Sequence, residues 1–140
     1  MIQLHAKPHV SPLTWNEFLE KAPNHSIALD GYVSDETRFL PHRAMANINH
    51  HENVSRLATR CTASQIKLNT SMNMLDMFRN EHGEIEMNIF VNDCDEDVCL
   101  SYFLLKNASM SKLTNNPALN RLVFFRGYAG FDIGSLPTFC

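Results

Sequence analysis

No apolar stretch in this sequence reaches the roughly 20 residues that a helix needs to cross a bilayer. The first residues, Met1-Ile2-Gln3-Leu4-His5-Ala6-Lys7-Pro8, lack the basic flank and long apolar run of a secretory signal, so a soluble, cytoplasmic protein is expected. Basic residues are not in excess: 12 Lys and Arg stand against 15 Asp and Glu, a formal charge of −3. That balance excludes the broad positive field that general nucleic-acid binding requires, and any nucleic-acid partner would have to be met locally. There is no glycine-rich loop to cradle a phosphate and no nucleophile elbow, so covalent catalysis by serine or cysteine has no support. The four cysteines, Cys61, Cys94, Cys99 and Cys140, form no C-x-x-C pair and are expected as free thiols. For Cys94 and Cys99 two readings stand, small buried hydrophobes or thiolate ligands for zinc.

What is present suffices for one ordinary core: 140 residues at 44% hydrophobic content, with no repeats, low-complexity tracts or long linkers. Residues 1–140 are therefore expected to form a single α/β domain. Thr14 and Glu17 make a capping box for a first helix carrying Trp15, Phe18 and Leu19 on one face, ending near Ala22-Pro23. A short buried strand follows from His25 and stops at the turn pair Asp30-Gly31. After a polar loop, Ala44 to Asn49 reads as a second brief strand with His50 and His51 at its tip. Leu57, Cys61, Leu68, Met72, Leu75 and Phe78 recur at helical steps, which predicts an amphipathic helix capped by Thr62 and Gln65. Its methionines, Met72, Met74 and Met77, suit packing against a sheet better than a binding face. Glu86 to Asn92 is the strongest strand pattern and leads directly into Asp93. Val98 to Leu105 suits a buried helix, Asn115-Asn116-Pro117 opens a helix or turn, and Leu122 to Phe125 reads as a last strand. Strands alternating with helices predict a mostly parallel sheet flanked by helices, in which ligands collect outside the carboxyl ends of the strands.

Two features carry chemistry. In Asn92-Asp93-Cys94-Asp95-Glu96-Asp97-Val98-Cys99, four acids occupy the five positions 93–97. Like charges this close raise one another's pKa and repel unless a cation or open solvent relieves them. Asp93, Asp95 and Asp97 are therefore candidate oxygen ligands for Mg²⁺ or Mn²⁺, the other reading being a solvated loop whose Asp97 caps the next helix. The second feature is Asn49-His50-His51-Glu52, two imidazoles beside a carboxylate, readable as metal ligands or as a surface pair. Asp30 joins these residues because it falls at a strand end. Arg56 and Arg60 follow the histidines and would fit phosphate with guanidinium forks, or else line a solvated helix face.

Asn49-His50-His51 followed by the small polar segment Cys61 to Ile66, with Asp93-x-Asp95-x-Asp97 entering an apolar helix, resembles the DHH phosphoesterase superfamily. Ala28 to Val33, and on through Phe39 to the histidine pair, is similar to the corresponding segment of an allied group of predicted hydrolases. Together the resemblance covers about residues 26 to 106. It implies a phosphoesterase that uses two divalent ions, Mn²⁺ or Mg²⁺, to activate water on a phosphate-containing small molecule or short nucleotide. Position by position it implies Asp93, Asp95, Asp97, Asp30 and His50 as metal ligands and His51 as the phosphate-contacting catalytic residue. Arg56 and Arg60 would be further substrate contacts, and Asp132 is a poor match for a late ligand. Three departures accompany it: Asn49 replaces the acid of the histidine triplet, the motif order is reversed as in a circular permutation, and the superfamily's substrate-binding domain is missing. The resemblance therefore implies a fragment of a larger protein or a chain that works with a partner domain or as a homo-oligomer. The alternative is a non-catalytic metal-binding or interaction domain of the same fold.

Overall fold

The computed structural model describes residues 1–55, 58–108 and 116–128. Within them five strands form one sheet: β1 (Ile2–Ala6), β2 (Ser26–Leu29), β3 (Arg38–Leu40), β4 (Met45–Ile48) and β5 (Met87–Val91), in the order β1-β5-β2-β4-β3. All neighbours are parallel except β3, which runs antiparallel to β4. Four helices accompany the sheet: α1 (Trp15–Lys21), α2 (Thr62–Ser71), α3 (Glu96–Lys106) and α4 (Pro117–Tyr128). The expected mostly parallel α/β architecture is present. No helix among the described residues is long and apolar enough to cross a membrane.

The period-two geometry of a strand sends alternate residues to opposite faces, and both faces of this sheet are covered. Ile27, Leu29, Ala46, Ile48, Met87, Ile89 and Val91 meet Ile66 of α2, Val98 and Leu105 of α3, and a 3-10 segment supplying Met74, Leu75 and Phe78. The intervening residues Ala28, Met45 and Phe90 meet Phe18 and Ala22 on or beside α1, with Tyr32 and Val33. Burial from both sides explains why the central strands read as near-continuous apolar runs. The capping box of α1 forms as read: the Thr14 hydroxyl accepts from the Glu17 amide, while the Glu17 carboxylate accepts from the Thr14 amide at 2.8 Å.

Five expectations need correction. β3 lies in the segment expected as a polar loop and β1 in residues for which no element was expected; each is a sheet-edge strand with exposed positions that dilute its apolar signal. The long helix ends at Ser71, since Asn73 takes a left-handed conformation (φ +64°) that breaks the ladder. The helix buries Thr62, Ala63, Ser64 and Ile66, leaving Leu68 and Met72 exposed; Met74 and Met77 do pack on the core. Leu122 to Phe125 belongs to α4, opened by Asn116, whose side-chain oxygen accepts from the Ala118 and Leu119 amides. Finally, Cys94 and Cys99 are exposed thiols and not buried hydrophobes.

Candidate metal centre

The site forms where β2 and β4 end side by side. Leu29 closes β2, and the Tyr32 amide returns to the Leu29 carbonyl at 3.1 Å across a turn whose central residues, Asp30 and Gly31, have φ of +51° and +88°. Both positive values are those of a type I′ turn, which Asp-Gly accommodates at little steric cost. The Asp30 amide is tied to the Ile48 carbonyl at 2.9 Å, so the turn is anchored to the adjoining strand end.

Immediately after that strand Asn49 is fully buried and acts as a bracket for the histidines. Its side-chain amide donates to the carbonyls of Asp35 (2.9 Å) and Val33 (3.3 Å), and its side-chain oxygen accepts from the His51 amide (3.0 Å). An aspartate could not donate to those carbonyls, which gives a physical reason for asparagine at this point in the triplet. Gln65 adds a link from α2, donating to the carbonyls of Asn49 and Arg60.

Three side chains then converge. His51 Nε2 lies 3.0 Å and His50 Nε2 3.2 Å from Asp30 Oδ1, and the Thr62 hydroxyl donates to the same oxygen at 2.8 Å. His50 Nε2 also stands 3.4 Å from Asp97 Oδ2. Asp97 is buried, but both its oxygens are engaged: Oδ2 accepts from the Thr62 amide and Oδ1 from the Ala63 amide, each at 2.8 Å. It therefore caps α2, from 34 and 35 residues away in sequence, and not the helix on which it lies. The cap of α3 is Asp95, which accepts from the Val98 amide at 2.8 Å. The expected Thr62 and Gln65 cap of α2 does not form: Cys61 is the residue before the helix and makes no side-chain capping bond, and Asp97 fills the role.

The two buried carboxylates are pushed in opposite directions. Burial would raise Asp30, yet hydrogen bonds from His50, His51 and Thr62 and attraction to His51 outweigh it, holding its carboxyl well below the ordinary carboxylate range. Burial raises Asp97, helped by the negative charge on Asp30, against the pull of the Ala63 and Thr62 amides and of His50. The site thus keeps one firmly ionised carboxylate facing two imidazoles, with a second, less readily ionised one behind His50.

The donor set suits a divalent cation. Asp30, His50 and His51 each offer a ligand atom, all within 4.8 Å of one another. Two atoms each about 2.1 Å from a common ion, at angles of 90–110°, stand about 3.0–3.4 Å apart, which is the separation seen between Asp30 Oδ1 and either ring nitrogen. Glu52, which follows the histidines and lines the adjoining cleft, has a buried Oε2 with no hydrogen-bond partner among the described residues.

A cleft of about 580 Å³ opens from this point, lined by Asp30, His51, Glu52, Asn92, Asp93 and Asp95 and walled on the far side by residues 8–12. Asp93 and Asp95 are exposed on its rim. Arg60 lines a separate cavity of about 470 Å³ between α2 and α4. Arg56 and Asp132 lie outside the described residues. Of the residues singled out from sequence, Asp30, His50, His51 and Asp97 are thus gathered, while Asp93 and Asp95 share only the cleft. Thr62 as a brace for Asp30 and the wall at residues 8–12 escaped notice. Pro8 and Pro12, which bracket a turn after an Ile2-x-Leu4-x-Ala6 alternation, were the available signal for the wall. No protein-family model matches the chain, and neither a curated protein nor a solved structure matches it.

Proposed function

We propose that this chain is a metal-dependent hydrolase, a phosphoesterase of the DHH type acting on a phosphate-containing small molecule or short nucleotide. The observation that carries this reading is the convergence of Asp30, His50 and His51 at the carboxyl edge of a parallel sheet, open to an acidic cleft. A cleft lined by Asp30, Glu52, Asp93 and Asp95 repels phosphate by itself, so a phosphate substrate fits only with cations between. Bound Mn²⁺ or Mg²⁺ supplies charge neutralisation at a phosphoryl oxygen and a lowered pKa for a coordinated water.

The chain's own residues hold and orient. Asp30 and His50 are nearly enclosed, and Asp97 and Thr62 fix them from behind. His51 keeps 37% of its side chain exposed against 11% for His50, so it is the imidazole with a face toward the cleft, suited to a phosphoryl oxygen as well as to a metal. Asp93 and Asp95, exposed on the cleft rim, would be the ligands for a second ion.

A second reading, a non-catalytic metal-binding or interaction domain, draws on Asn49: its amide is committed to backbone carbonyls, so the triplet provides no third ligand. Hydrolysis of a generic phosphodiester and of pyrophosphate with Mn²⁺, against a His50→Ala control, separates the two. Turnover well above the control supports the enzyme; metal binding with no excess turnover on either substrate leaves the binding domain.

A further inference from the structure

Cys94 and Cys99 occupy paired positions at the start of α3. Asp95 is the N-cap, so Cys94 immediately precedes the cap and Cys99 is the fourth residue of the helix. These are the positions that face each other in a hydrophobic staple, where a side chain before the cap packs on one in the first turn. The chain follows that path here: the Asp95 carboxylate accepts from the Val98 amide, the Cys99 amide donates to the Asp95 carbonyl at 3.0 Å, and Cys99 Sγ lies 3.7 Å from the Cys94 carbonyl oxygen. Both thiols are exposed. An apolar staple is normally covered, whereas here both staple positions carry accessible thiols. Cys94 also sits between Asp93 and Asp95, both on the cleft rim.

We propose that Cys94 and Cys99 form a reversible disulfide by exchange with a small-molecule disulfide such as oxidised glutathione. One protein thiolate attacks a sulfur of the reagent, forms a mixed disulfide and expels one reagent thiolate. The second protein thiolate then attacks the protein sulfur of that mixed disulfide and expels the other. The two electrons lost by the protein sulfurs reduce the reagent, and the two thiol protons end on the two released reagent thiols. The bond joins the residue before the α3 cap to the first turn of the helix, and so pins the segment that carries Asp93 and Asp95.

The test is equilibration of the full chain in glutathione redox buffers, folded and in concentrated urea, with acid quenching, alkylation and peptide mass mapping. The expected result is a Cys94–Cys99 bridge whose effective thiol concentration in the folded protein exceeds that in urea by about tenfold or more, reflecting pre-positioning by the cap. Cys94→Ser and Cys99→Ser should each stop at the mixed disulfide that the unaltered chain resolves. A folded value equal to or below that in urea overturns the proposal. So does persistence of mixed disulfides at both cysteines of the unaltered chain, or a bridge that instead involves Cys61 or Cys140. The readout does not depend on metal or on hydrolysis, so its failure leaves the proposed function untouched.

Discussion

Asp97 and Asp93 belong to one acidic run, yet they face opposite environments. Asp97 is buried, holds the N-terminus of α2 with both oxygens and stands behind His50. Asp93 is exposed on the cleft rim, and its Oδ1 accepts from the neighbouring Cys94 amide at 2.7 Å. The divide is set by where α3 begins. With Asp95 as the cap, the helix turns Asp97 inward toward α2 and leaves Asp93 in the loop before it. Repulsion in an acidic run is thus relieved in two ways at once, by solvent on the rim and by the amides of a second helix inside. Alternation in sequence does not make three equivalent ligands.

The largest effect expected from breaking that comparison is on stability. Asp97→Ala removes two charge-assisted hydrogen bonds and leaves two buried amides of α2 without acceptors, for a loss of about 3 kcal/mol in urea unfolding without metal. Asp93→Ala should stay within about 0.5 kcal/mol. Equal losses in the two variants would mean that the buried and rim carboxylates are not distinguished as described.

Metal should bring the rim carboxylates into the stability of the fold. An ion that binds only the folded chain at a hundredfold over its dissociation constant adds about 2.7 kcal/mol, or about 8 °C in melting temperature for a chain of this size. Asp30→Asn should abolish the Mn²⁺-dependent rise and Asp95→Asn should blunt it. An unchanged melting curve for the unaltered chain at millimolar Mn²⁺ counts against a preformed site.

A smaller effect is expected at Asn49. Asn49→Asp sets a carboxylate against the Asp35 and Val33 carbonyls, and should cost about 2 kcal/mol without metal. If the variant instead folds as well as the original chain and binds Mn²⁺ more tightly, Asn49 is a lost ligand and its bracket role is wrong.

These contrasts also show what could be read before any coordinates. Asp30 and the histidines were legible because a turn pair and a strand tip each ended an apolar run, and parallel strands present such ends at one edge. The α1 cap was legible because its partners lie three residues apart. Asp97's role was not: its partners are amides 34 and 35 residues away, and only the packing of α2 on α3 brings them together. The α4 segment misled because Leu122 to Phe125 is uniformly apolar, and a short apolar run does not distinguish strand from helix without its cap at Asn116. The edge strands β1 and β3 were obscured for the opposite reason, since exposed positions interrupt their pattern.

The central claim is that Asp30, His50 and His51 together bind one divalent cation. The most direct measurement is pulsed electron paramagnetic resonance of the Mn²⁺-loaded chain, which reads the ¹⁴N nuclei of coordinated imidazoles. The account predicts coupling from two imidazole nitrogens, reduced to one in both His50→Ala and His51→Ala and accompanied by weaker Mn²⁺ affinity in each. Bound Mn²⁺ with no nitrogen coupling would contradict it, since the ion would then be held by rim carboxylates alone.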